Sequence, residues 1–96
     1  MNNQEQFKFR LFVDGKSANA VQAIANLNHL CHERLPDRHA IEIVDVILEP
    51  KRALTDGILL TPTLVKLAPL PILRIVGRLS QEKPLLHALG LPGAAA

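Results

Sequence analysis

Thr61-Pro62-Thr63-Leu64-Val65-Lys66-Leu67-Ala68-Pro69-Leu70-Pro71-Ile72-Leu73-Arg74-Ile75-Val76-Gly77 carries the strongest fold signal in the chain. It holds two short apolar runs, Leu64 to Leu67 and Ile72 to Val76, separated by Pro69-Leu70-Pro71. Two β-compatible runs with a breaker between them and a glycine closing the second form a hairpin signal. Pro62 stands just before the first run. Proline has no N–H to give to a ladder, so a sheet accepts it at strand starts and edges.

Upstream, Phe7 to Val13 reads as a strand in which Phe7, Phe9 and Leu11 alternate with Lys8, Arg10 and Phe12. The placement of Phe12 predicts burial on one face and part of the other. Asp14-Gly15-Lys16-Ser17 follows as a loop, with Ser17 and Asn19 as candidate helix N-caps and Gln22 three residues beyond Asn19. Val21, Ile24, Leu27 and Cys31 recur at spacings of three and four, predicting an amphipathic helix over 18–34 that ends at Leu35-Pro36-Asp37. The β-branched run from Ala40 to Leu48 predicts a second strand, parallel to the first across the helical crossover. Pro50 opens a short helix reaching about Gly57.

Downstream of the hairpin, Ser80 to Leu89 predicts a last helix. Ser80 is its N-cap candidate, Leu85, Leu86 and Leu89 its apolar face, and Gly90 and Pro92 its stop. Pro84 falls at the edge of the first turn, where it can displace the start. The order is β-α-β-α-β-β-α, an α/β fold with a mixed four-stranded sheet, read as one domain over 1–96 with loose ends at 1–6 and 93–96.

Composition narrows the function. The net charge is only +2, basic runs are lacking, and the sole aromatics are Phe7, Phe9 and Phe12, so nucleic acid is not an expected partner. No apolar stretch approaches transmembrane length, and Met1 to Gln6 is polar rather than a signal-peptide core. Cys31 is the one cysteine, so no internal disulfide can form and the cytoplasm is the expected compartment.

Taken together, in order and without gaps, several segments resemble the KaiB family of small clock proteins. They are Leu11-Phe12-Val13-Asp14-Gly15 with Asn19 and Val21, Val44-Asp45-Val46, Pro50, Asp56, Ile58-Leu59 and Thr61-Pro62-Thr63-Leu64. Lys66, Pro69, Pro71, Arg74-Ile75-Val76-Gly77 and Leu79-Ser80 complete the match, which runs from about Phe7 to Leu91. Thr61-Pro62-Thr63 also resembles the cis-proline corner of thioredoxin-like folds, which makes Pro62 a structural cis-proline candidate. The resemblance implies a non-enzymatic regulator, with no cofactor, that binds the KaiC ATPase hexamer, captures KaiA and competes with a histidine kinase whose N-terminal domain is KaiB-like. It also implies a metamorphic chain with two states. One is a tetramer with its own ground-state fold; the other is a thioredoxin-like monomer that binds KaiC.

Departures from the family pattern carry their own expectations. Ala88 stands where members usually have Gly, and Gly90 where they usually have Asp. Gly to Ala inside a helix favours it by about 0.8–1 kcal/mol, roughly a fivefold population shift. A glycine just past Leu89 supplies a cap that accepts positive φ. Ala88 and Gly90 are therefore the candidate fold-switch control, and the expected bias is towards the thioredoxin-like monomer over the tetramer. Gln22 and Glu42 replace basic residues that the resemblance turns towards KaiA, so KaiA is not an expected partner. Gly57 replaces a common Lys, while Lys66 and Arg74 remain as candidate contacts to KaiC.

Two other functions can be set against the residues. A diverged thioredoxin-like redox or stress-response protein needs a low-pKa cysteine at a helix N-terminus, and Gly15-Lys16-Ser17-Ala18-Asn19 has none. Cys31 lies far along the helix and reads as core, and Ser17 reads as a cap with nothing placed to activate it. His29 and His32 share a helix face but lack a second ligand cluster for a metal. Asp45 reads as a structural carboxylate, or one reaching a strand end, rather than a catalytic acid. The other function is an adaptor that competes with a KaiB-like kinase sensor domain in trans. Lys51, Arg52, Lys66, Arg74 and Arg78 are the candidates for one basic docking face.

Overall fold

The computed structural model describes residues 5–91. The elements run β1 (Phe7–Val13), α1 (Ala18–Arg34), β2 (His39–Asp45), α2 (Pro50–Thr55), β3 (Thr63–Ala68), β4 (Leu73–Val76) and α3 (Glu82–Leu89). The strands form one mixed sheet of order β2-β1-β3-β4. Pairing is parallel between β1 and β2 and antiparallel along β1-β3-β4. The expected loose ends lie outside the described residues except for Glu5 and Gln6. Gln6 Nε2 donates to the Asp37 carbonyl, and the Glu5 carbonyl accepts from Arg38 Nε.

β1 is the central strand, and its alternation sorts the core into two layers. Phe7, Phe9 and Leu11 face one side with Leu64, where α1 and α3 cover the sheet. Phe12 faces the other side with Val44 and Val65, and Val46, Ile58 and Leu67 pack against them. Leu11, Phe12, Leu27, Leu64, Leu86 and Val44 are fully buried. At about 1.5–3 kcal/mol for each large apolar side chain, such residues supply most of the drive to fold.

The first helix is capped as its sequence predicts. Ser17 Oγ accepts from the Ala20 N–H at 3.1 Å and donates to Asp14 Oδ1 at 2.6 Å. Its buried stripe is Ala20, Ala23, Leu27, Leu30 and Cys31. Val21, expected on that stripe, is 59% exposed. Adjacent helical residues point about 100° apart, and with the small Ala20 and Ala23 against the sheet Val21 turns outward.

Two further boundaries differ from the sequence reading. The strand expected over 40–48 ends at Asp45, because Asp45 Oδ1 accepts the N–H groups of Gly15 and Ile47, both at 2.9 Å, and turns the chain out of the ladder. The last helix begins at Glu82 after Gln81, without a side-chain cap, rather than at Ser80. Pro84 is then its third residue, among the first four that have no intrahelical acceptor. The helix ends at Gly90, whose φ of +71° is left-handed, as a glycine stop requires. Leu85, Leu86, Leu89 and Leu91 deliver this helix to the core. The Thr61–Pro62 peptide bond is cis.

Because Ala88 is an exposed interior residue of α3 and Gly90 holds positive φ, both positions report on the same helix. Ala88→Gly and Gly90→Ala each lower stability by about 1 kcal/mol, seen as a lower urea midpoint with an unchanged slope. An unchanged midpoint for both would contradict the assignment of 82–89 as a helix closed at Gly90.

Candidate functional site

The face of the sheet opposite α1 and α3 carries α2, and α2 has no buried residue of its own. Six residues are too few to hold a helix in water by propensity alone. What holds it is charge. Arg10, in the middle of β1, sits opposite Glu42 of β2. Arg10 Nε meets Glu42 Oε1 at 2.8 Å and its Nη1 meets Asp56 Oδ2 at 3.0 Å. Glu42 Oε2 in turn takes Arg52 Nη1 of α2 at 2.6 Å. The chain of contacts therefore ties both strands to the helix and to the residue that follows it.

These bonds shift Glu42 strongly. The hydrogen bonds from Arg52 and Arg10 hold its carboxyl at about 2, well below the ordinary carboxylate range. Arg10 is raised by the Glu42 bond in the same way. Beyond the network, Arg74 donates from Nη1 to the Gly57 carbonyl at 3.1 Å and from Nη2 to the Asp56 carbonyl. Gly57 has φ +66°, and a Cβ there would lie 3.8 Å from Arg74 Nη1. The glycine therefore lets the chain turn at the end of α2 beneath Arg74.

Held this way, the segment turns its apolar side chains outward. Ile47, Leu48, Leu54, Leu59 and Leu60 are 68%, 77%, 80%, 93% and 62% exposed. Leu59, Leu60, Val76 and Arg74 border one shallow depression of about 220 Å³. Lys51 is exposed on α2, where it borders a separate depression with Arg52, Thr55 and Asp56. Large exposed apolar groups gathered on one segment and rimmed by cations mark an interaction surface.

The sequence-predicted residues divide between the two faces. Arg74 is exposed on the α2 side. Lys66 is 4% exposed and pairs with Phe9 and Leu73 on the helix-covered side, so it shares no surface with Arg74. Gln22 is exposed on α1, whereas Glu42 is engaged in the network. Ala88 lines a groove beside β4, and Gly90 caps α3. The Cys31 thiol is fully buried, and burial pushes it up to about 12. Asp45 serves the turn after β2. Among the described residues no group of His, Cys, Asp or Glu could hold a metal ion, and no helix is long and apolar enough to cross a membrane. Sequence reasoning missed Arg10 and Asp56 as clamp residues and the outward leucines of 48–60. The signal for the leucines was Ile47-Leu48 and Ile58-Leu59-Leu60 flanking a helix too short to bury them.

Comparison with known proteins agrees on both sequence and fold. The KaiB domain model matches residues 10–91. The circadian clock protein KaiB3 of Synechocystis sp. is 42% identical over 82 residues, covering 85% of this chain and 80% of that protein. The circadian clock oscillator protein KaiB of Synechococcus elongatus is 35% identical over 91 residues, covering 95% and 89%. Among solved structures, the N-terminal domain of Synechococcus elongatus SasA has a TM-score of 0.73 at 17% identity, covering 94% of this chain and 89% of that one. The thioredoxin Deadhead of Drosophila melanogaster has 0.70 at 14%, covering 90% and 80%. These two likenesses show the thioredoxin-like fold.

The Glu42 clamp has a pH signature. Its pKa is depressed in the folded state, so its contribution is present above the ordinary carboxylate value of 4.5 and is lost as pH falls through about 2. With side chains 25% to 46% exposed, the contribution is small, no more than about 1 kcal/mol. Glu42→Gln flattens the acid limb of stability between those values, as followed by urea denaturation at stepped pH. An acid limb identical to that of the parent chain would show that the clamp contributes nothing.

Proposed function

This chain belongs to the KaiB family, and on that premise we propose that it is a non-enzymatic, cytoplasmic clock-type regulator that docks on a KaiC-like ATPase ring. Docking alters the ring's phosphorylation or ATPase cycle. The observation that carries the reading is the exposed apolar segment 47–60, held outward on a sheet face that has no catalytic constellation among the described residues. Leu54, Leu59 and Leu60 supply contact area, Arg74 supplies charge at the edge of the Leu59–Leu60 depression, and Lys51 supplies charge on α2. Lys66, 4% exposed on the other side of the sheet, lies outside this surface. A KaiB-like histidine-kinase sensor domain competes for the same surface on the ring.

In this reading the thioredoxin-like arrangement is also the resting one. Ala88 and Gly90 complete α3, and Arg34 Nη2 holds Glu82 at 2.7 Å, tying that helix to α1. A chain resting in its binding-competent state loses no affinity to a conformational pre-equilibrium. It joins the ring quickly as a monomer, without serving as a slow timing step. KaiA is not an expected partner in this reading, because Gln22 is uncharged and Glu42 is acidic where the resemblance calls for basic residues.

The redox alternative has a specific observation against it. The helix N-terminus that would hold the attacking thiol carries Ser17 as a satisfied cap, and Cys31 is buried with its thiol pushed up to about 12.

Light scattering of the chain with and without a KaiC hexamer tests the proposal. The expected result is a monomer that joins the ring on mixing. Leu54→Asp and Leu59→Asp, which alter exposed positions and leave the fold intact, weaken the complex at least about tenfold. A tetramer that joins over hours would overturn the resting-state reading, and a chain that never joins the ring would overturn the partner.

A further inference from the structure

A second surface lies on the far side of β4. We propose that the groove between the edge strand β4 and helix α3 binds an extended, acidic peptide segment of a partner protein, which adds to the sheet as a fifth strand. The proposal is independent of the KaiC reading.

The backbone supplies the first half of the argument. β4 pairs with β3 and stands at the sheet edge. The Gly77 N–H donates to the Pro62 carbonyl at 3.0 Å, which fixes the phase of the ladder. Leu64 with Ile75 and Lys66 with Leu73 continue that phase and turn their backbone groups inward. The N–H and C=O groups of Arg74 and Val76 therefore face away from β3, and no backbone partner meets them among the described residues. An incoming strand can take these four groups, the mode known as strand addition.

Side chains supply the second half. A groove of about 410 Å³ runs beside this edge, with Ile75, Leu79, Pro84, Leu85 and Ala88 among its walls and Arg78 along it. Among the described residues no carboxylate lines the groove. The nearest acidic residue of α3, Glu82, is bound to Arg34. Arg78 makes no ion pair among the described residues, and Arg74 spends its donors on the carbonyls of Asp56 and Gly57. An added strand would send alternate side chains into the apolar groove, and a carboxylate on the same segment would meet Arg78. That combination of an unpaired edge, an apolar trough and an unmatched cation fits an extended segment carrying apolar residues and an acidic group. A second copy of the chain fits less well. Pairing through β4 would bring its Arg74 and Arg78 to the same edge without a carboxylate to meet them. Nucleic acid lacks an aromatic platform here.

The test titrates the isotope-labelled full chain with a short acetylated peptide of alternating valine and threonine ending in two aspartates. The control is the same peptide ending in two lysines. Expected are saturable amide shifts and slowed amide exchange at Arg74 and Val76, with the acidic peptide at least about tenfold tighter than the control. Arg78→Glu abolishes that preference while the α1 resonances stay in place. Val76→Pro removes one outward N–H at an edge that tolerates proline and weakens both peptides. The proposal is overturned by the absence of β4 shifts up to about 1 mM peptide, by equal affinity for the two peptides, or by shifts confined to 47–60. Protection of Arg74 and Val76 without peptide, together with a dimer mass, would likewise overturn it by making a second copy the occupant.

Discussion

Two carboxylates meet Arg10 in the middle of the central strand. Its side chain is 25% exposed and lies beside Phe12 and Val44, where an unmatched guanidinium is costly. Glu42 arrives from the neighbouring strand and Asp56 from the turn after α2. That meeting links β1, β2 and the end of α2 on the second face. Glu42 then holds Arg52, α2 lies across the network, and Ile58 drops into the small apolar layer. The helix is positioned by its polar side, which leaves Leu54 and the flanking Leu48, Leu59 and Leu60 turned outward.

The two faces of the sheet thus do different work. The face under α1 and α3 holds the large apolar cluster and sets stability. The face under α2 has a small cluster and a network of partly exposed ions, and such pairs contribute little each. It is the less stable side by construction, and it is also where the apolar exposure lies. Binding surfaces are commonly drawn from such weakly held regions. Lys66 belongs to the first face, buried opposite Phe9, and Arg74 to the second.

Much of the fold was legible because periodicity and breakers agree along the chain. The alternation of β1, the stripe of α1, the Pro69-Leu70-Pro71 turn and the Gly90 stop each name their element locally. The misread boundaries depended on side chains reaching outside their own segment. Asp45 ends β2 by capping Gly15, 30 residues away, and Pro84 sets the start of α3 only once the helix has a place to dock. The face under α2 was harder still. Arg10, Glu42, Arg52 and Asp56 meet only through the β1–β2 register, which is a tertiary fact. Charge counting alone placed Lys66 beside Arg74, whereas the strand alternation puts them on opposite sides.

The most direct test is hydrogen–deuterium exchange of the chain, free and bound to a KaiC-like ring. Docking through the outward segment slows exchange across 47–60 while β2 and the exposed side of α1 exchange as before. A complex that forms with 47–60 unchanged, and protection confined to β2 or α1 instead, would contradict it.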